Sequence, residues 1–115
     1  DRRGEASGLG NLGNAYSALG DARKAIEYQA QSLAIACEIG DRRGEAIACW
    51  NLGLQYTALA NLPRAIELMQ VCVAFERAIG HPNADIHEAR VNDSVPGWQR
   101  SAARRGARGA QTGLS

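Results

Sequence analysis

The chain is poor in the residues that announce chemistry. Its 115 residues include two histidines, one methionine and one phenylalanine, and aromatics make up 5%. The histidines are His81 and His87. His87-Glu88 has no second histidine four residues on, which excludes a zincin motif, and each lone histidine reads as a surface or cap residue. No Gly-Lys-Ser/Thr triplet occurs, which excludes a P-loop. Gly8-x-Gly10-x-x-Gly13 has the dinucleotide spacing, but it lies inside a helical pattern with no strand before it. No serine, cysteine or aspartate has a base placed by a motif. The expectation is a protein that is not an enzyme and holds no cofactor or metal.

The cysteines, Cys37, Cys49 and Cys72, are odd in number and spaced for neither a zinc site nor a CxxC redox pair. All three sit in apolar helical patterns, where a thiol acts as a small hydrophobe. They predict buried, reduced thiols and a cytoplasmic protein. No apolar run approaches the length of a membrane span. No signal-peptide pattern is present. The chain opens on Asp1 in the middle of a repeated motif, which predicts a piece of a longer protein. Charge of one sign is also lacking, since the net is +1. Its distribution is uneven. Residues 1–93 hold nine basic and twelve acidic residues, a balance of −3. Residues 94–115 hold Arg100, Arg104, Arg105 and Arg108 and no acid. A mildly acidic body carries a basic tail.

What the chain has is an internal repeat. Asp1-Arg2-Arg3-Gly4-Glu5-Ala6 recurs as Asp41-Arg42-Arg43-Gly44-Glu45-Ala46. The same offset pairs Asn11-Leu12-Gly13 with Asn51-Leu52-Gly53, Tyr16 with Tyr56, and Ala25-Ile26-Glu27 with Ala65-Ile66-Glu67. Roughly 18 of 40 positions are identical without a gap. Such a period signals a solenoid.

Each repeat reads as two helices. Leu9, Leu12, Tyr16 and Leu19 share one helical face, predicting a helix from about Gly4 to Leu19. Gly20-Asp21 breaks it, the glycine as a stop and the aspartate as the next cap. A second helix runs from about Ala22 to the stop at Gly40. The copy predicts helices from about Gly44 to Leu59 and Leu62 to Ile79, with Asn61 as cap. Pro63 falls in a first turn, where its missing N–H is harmless. Arg2, Arg3, Arg42 and Arg43 read as solvated inter-repeat turns. A third repeat starts and fails. Residues 84–92 predict a short helix with Ile86 and Val91 as its apolar points, and Val95-Pro96-Gly97 ends it. The expected division is a repeat over 1–40, a repeat over 41–80, a partial capping helix over 81–93 and a disordered tail over 94–115. The fold class is all-α.

The pattern resembles the tetratricopeptide repeat in a forty-residue variety. The resemblance rests on Leu12-Gly13 with Tyr16, Leu52-Gly53 with Tyr56, and the small residues Ala25 and Ala65, and it covers residues 1–80. It implies a right-handed solenoid of helical hairpins. Gly13 and Gly53 let the second helix approach, with Ala25 and Ala65 opposite them and the tyrosines filling the space between helices. The chain departs from the family where Gln29 and Met69 replace a large aromatic, which predicts looser packing there. Stretches such as 44–53 are similar to repeats of G-protein-signalling modulators and of long signalling arrays.

The resemblance also implies a partner, a peptide or protein segment held on a concave face lined by the first helix of each hairpin. Helical spacing then places Asn11, Asn14 and Ser17 there in the first repeat, and Trp50, Asn51, Leu54 and Thr57 in the second. Asparagine donates and accepts, so it suits an extended backbone. Trp50 has the composition of a binding anchor. Asn11 and Asn51 have a second reading as buried ties between hairpins. The family's carboxylate clamp needs a basic residue at a position where Gly10 and Trp50 stand, and Leu54 replaces one of its asparagines, which argues against a chaperone C-terminus as the ligand. Exposed Leu9 and Leu12 favour end-to-end self-association. The basic tail has Trp98 alone for stacking, so nucleic acid or membrane attachment is the weaker alternative to an inert tail. Two further alternatives are a structural or regulatory segment of a larger signalling protein and, for the tail, a frame-altered end.

Overall fold

The computed structural model describes residues 1–94. They form five α-helices: α1 (Arg2–Ala18), α2 (Ala22–Ile39), α3 (Arg42–Ala58), α4 (Leu62–Ala78) and α5 (Ala84–Ser94). Among the described residues there is no strand. Ser94 closes α5, and the rest of the segment read as a disordered tail lies outside the described residues.

The helices begin where their caps dictate. Asp1, Asp21, Asp41 and Asn61 each accept a backbone N–H of the following turn, from Arg3, Lys24, Gly44 and Arg64. Each cap stabilises its helix by about 1 kcal/mol. The aspartates at 1 and 41 cap immediately, so α1 and α3 start two residues before the expected Gly4 and Gly44. Arg2, Arg3, Arg42 and Arg43 are therefore helical and not turn residues, a correction to the sequence reading. The helix ends repeat as well. Asp21 N–H donates to the Tyr16 carbonyl, Asp41 to Ala36, Asn61 to Tyr56 and His81 to Glu76. This is the bond that a left-handed residue makes possible. Gly20, Gly40 and Gly80 supply that residue three times, and Ala60 supplies it once, at φ 61°.

Helix α1 packs on α2, α2 on α3, α3 on α4 and α4 on α5. That chain of neighbours makes two hairpins and a half, stacked as a helical-hairpin repeat solenoid. Ala25 and Ala65 are fully buried, small enough for the helices to meet. One apolar cluster joins Cys49, Leu52 and Leu68, with Ile26, Leu33 and Tyr56 against it. A second joins Met69, Val73 and Val91, with Trp50, Leu54 and Ile66 against it. Tyr16 stacks on Tyr28 in the first hairpin, with ring centroids 5.4 Å apart.

Stacking decides burial where the repeats themselves are alike. Leu52 is 3% exposed, whereas its counterpart Leu12 is 46% exposed. A preceding hairpin, α1 and α2, covers α3; among the described residues no preceding hairpin covers α1. Leu9 is half-buried. In α5 the apolar anchors are Ala84 and Val91, while Ile86 faces solvent, contrary to expectation.

The packing at Gln29 and Met69 is not loose. These are the largest fully buried side chains among the described residues. An added Cβ on Gly13 would lie 2.7 Å from Gln29 Cγ, and one on Gly53 would lie 2.5 Å from Met69 Cγ. The glycines thus make room for these two side chains more than for Ala25 and Ala65. No helix among the described residues is long and apolar enough to cross a membrane.

Candidate functional site

A cleft of about 220 Å³ opens between α1 and α3, with α2 as its floor. Helix α1 contributes Ser7, Gly10, Asn11 and Asn14; α2 contributes Gln29 and Ser32; α3 contributes Ile47 and Asn51. Arg3 and Asp41 stand at one end.

The floor is internally satisfied. Gln29 Nε2 donates to Asn14 Oδ1 at 2.9 Å and to the Gly10 carbonyl at 3.1 Å. Ser32 Oγ donates to the Ala6 carbonyl at 2.9 Å. The walls differ. Asn11 is exposed and Asn51 half-buried, and neither makes a side-chain hydrogen bond among the described residues. The alternative reading of these two as buried ties finds no bond to support it. Asn14 is exposed, and its carbonyl oxygen accepts from Gln29, while no hydrogen bond from its amide N–H groups is made among the described residues.

Of the seven residues expected to meet a partner, Asn11, Asn14 and Asn51 line this cleft. The other four do not. Ser17 Oγ accepts from Gln55 Nε2 at 2.8 Å, a bond that ties α1 to α3. Thr57 Oγ1 donates to the Gly53 carbonyl of its own helix. Trp50 stacks against His87 of α5, with ring centroids 4.2 Å apart and planes 30° apart. Leu54 packs against the Met69–Val73–Val91 cluster.

The forty-residue offset explains the division. Moving each cleft residue one repeat on turns Ser7 into Ile47, Gly10 into Trp50, Asn14 into Leu54, Gln29 into Met69, Ser32 into Cys72, and Asn51 into Val91. The α1–α3 junction is polar and open. The α3–α5 junction is filled by apolar side chains, and Trp50 occupies the space that Gly10 leaves empty.

Gln29, Ser32, Ser7 and Ile47 were missed as cleft residues. One signal was available for Gln29: a polar residue on the same face as Ala25, in a stripe otherwise apolar.

The cysteines divide as well. Cys49 and Cys72 are buried, whereas Cys37 is exposed, against expectation. Burial, helped by Glu45, pushes the Cys49 thiol up to about 11. Burial, helped by Glu76, pushes Cys72 up to about 12. Such thiols are protonated and weakly reactive. His81 acts as a cap, its Nδ1 accepting from the Asn83 N–H at 3.0 Å ahead of α5, whereas His87 is not a surface residue. His87 Nδ1 lies 2.6 Å from the buried Glu76 carboxylate, and His81 Nδ1 lies 3.7 Å from its other oxygen.

A model of the tetratricopeptide repeat family matches residues 4–78. A model of a family of unknown function (DUF2530) matches residues 91–114, most of which lie outside the described residues. Among curated proteins none matches the chain. Tetratricopeptide repeats generally mediate protein–protein interactions and are generally non-enzymatic scaffolds. The match spans well over half of the chain and both observed hairpins, so the chain belongs to the tetratricopeptide repeat family.

Proposed function

We propose that the chain holds an extended peptide or protein segment in the cleft between α1 and α3, on the concave face of the array. The observation that carries this is the row of Asn11, Asn14 and Asn51 along one open cleft whose floor is already hydrogen-bonded. Free amides beside a satisfied floor offer donors and acceptors at no cost in broken internal bonds. An extended backbone presents the matching groups. Ser17, Trp50 and Leu54 support this arrangement by holding α1, α3 and α5 together. The activity needs no cofactor and no chemistry on the ligand. Unpaired cysteines in the helices favour the reducing cytoplasm.

The test is selection of peptides from a displayed library on the full chain. Selected peptides are then titrated against an Asn11→Ala, Asn14→Ala, Asn51→Ala variant of equal helicity. Loss of binding by tenfold or more in the variant is the expected result, on the order of 1.4 kcal/mol. Equal affinity for every selected peptide rejects the cleft as the binding site.

A further inference from the structure

The junction of α4 and α5 carries a donor set that the repeat does not require. Cys72 and Glu76 are four residues apart and share one face of α4. Helix α5 brings His87 over them. Cys72 Sγ, a Glu76 carboxylate oxygen and a His87 ring nitrogen all lie within 4.8 Å of one another. Forty residues earlier the same positions hold Ser32, Ala36 and Ile47. The scaffold therefore closes with an alanine and an isoleucine where this junction buries a carboxylate and an imidazole. Burying Glu76, 6% exposed, is costly unless the charge is matched.

We propose that Cys72, Glu76 and His87 bind a Zn²⁺ ion. A thiolate, an imidazole and a carboxylate form the mixed sulfur, nitrogen and oxygen set that this ion takes. Tetrahedral bonds of about 2.0–2.3 Å place donor atoms roughly 3.3–3.8 Å apart. The observed donors bracket that spacing, so side-chain rotation suffices to seat an ion. A cleft of about 170 Å³ reaches Cys72, Glu76 and His81, and gives the ion a way in and a water its fourth position. In the turn before α5, His81 Nδ1 accepts from the Asn83 N–H at 3.0 Å. Binding exchanges the Cys72 S–H proton, released to solvent, for the metal bond. The ion then fastens α5 to α4.

The test uses the full chain with Trp98→Phe, so that Trp50, stacked on His87, is the one fluorophore of its kind. Co²⁺ is the probe and Zn²⁺ the competitor. The expected result is one equivalent of Co²⁺ with thiolate charge-transfer absorption and quenched Trp50 emission, both reversed by Zn²⁺. Cys72→Ser and His87→Ile install the residues that stand forty positions earlier, Ser32 and Ile47, and circular dichroism checks that each variant keeps the helical fold. Each should weaken binding by more than the ~10–100-fold that supporting residues around a metal cost. Cys72→Ser should also abolish the charge-transfer band, and Cys49→Ser should leave it intact. A wild-type chain without that band, or a Cys72→Ser chain that keeps it, overturns the proposal.

Discussion

Gln29 Nε2 and Asn14 Oδ1 are joined at 2.9 Å across α1 and α2, and Gln29 is 2% exposed. A buried amide therefore sets the position of an exposed one. The counterpart of Gln29 is Met69, which fills the same space without hydrogen bonds. Gln29→Met should thus keep volume and change stability by less than ~1.5 kcal/mol. Gln29→Ala should cost ~2–4 kcal/mol, because it leaves a cavity against Gly13. Urea unfolding of the two variants checks the order. Gln29→Met should still weaken peptide binding, since Asn14 loses its tether.

Gly13 and Gly53 are not equivalent. A Cβ at Gly13 meets the Gln29 side chain, whereas one at Gly53 meets Met69 and, at 3.1 Å, the backbone carbonyl of Ala65. A side chain can swing away and a helical carbonyl cannot. Gly53→Ala should cost ~1–3 kcal/mol and more than Gly13→Ala, despite the better helix propensity of alanine. Thermal unfolding of both variants decides it; equal losses would contradict the role given to the carbonyl.

Ala60 adopts φ 61°, where Gly20 stands in the first repeat. An L side chain in the left-handed region is strained, and glycine is not. Ala60→Gly should raise stability by ~0.5–1 kcal/mol, after subtraction of the greater freedom of glycine in the unfolded chain. A fall in the unfolding midpoint would reject this.

Thiol accessibility should follow burial. Exposed Cys37 should react with a disulfide reagent in the native chain, and Cys49 and Cys72 only after unfolding. Burial also raises the folded pKa of the last two from 9.0 to about 11 and about 12. A group held protonated by folding contributes its stability fully below its unfolded pKa. That contribution is lost as pH rises through the folded pKa, so the chain should weaken between about pH 9 and pH 12. A Cys49→Ala, Cys72→Ala variant should lose less stability over that range than the wild type, measured by urea unfolding at each pH.

The sequence by itself determined the local structure. Four helices, the stops at Gly20, Gly40 and Gly80 and the caps at Asp21 and Asn61 could be read from spacing and turn chemistry, because these depend on residues a few positions apart. The forty-residue offset announced the solenoid for the same reason. The early starts of α1 and α3 were missed because a capping aspartate acts at once, whatever the charge of the arginines after it.

The tertiary structure decided which copy of a repeated position does what. Asn11 and Asn51 recur in sequence and line one cleft, but Gly10 and Trp50 do not share a fate. One leaves a junction open, and the other closes the next junction against His87. Leu12 and Leu52 are identical residues, one exposed and one buried, because among the described residues a preceding hairpin covers the second and not the first. Glu76 meets His87 across eleven positions and two helices. Such contacts arise from stacking, and stacking depends on the neighbour each face is given, which a repeat read alone does not specify.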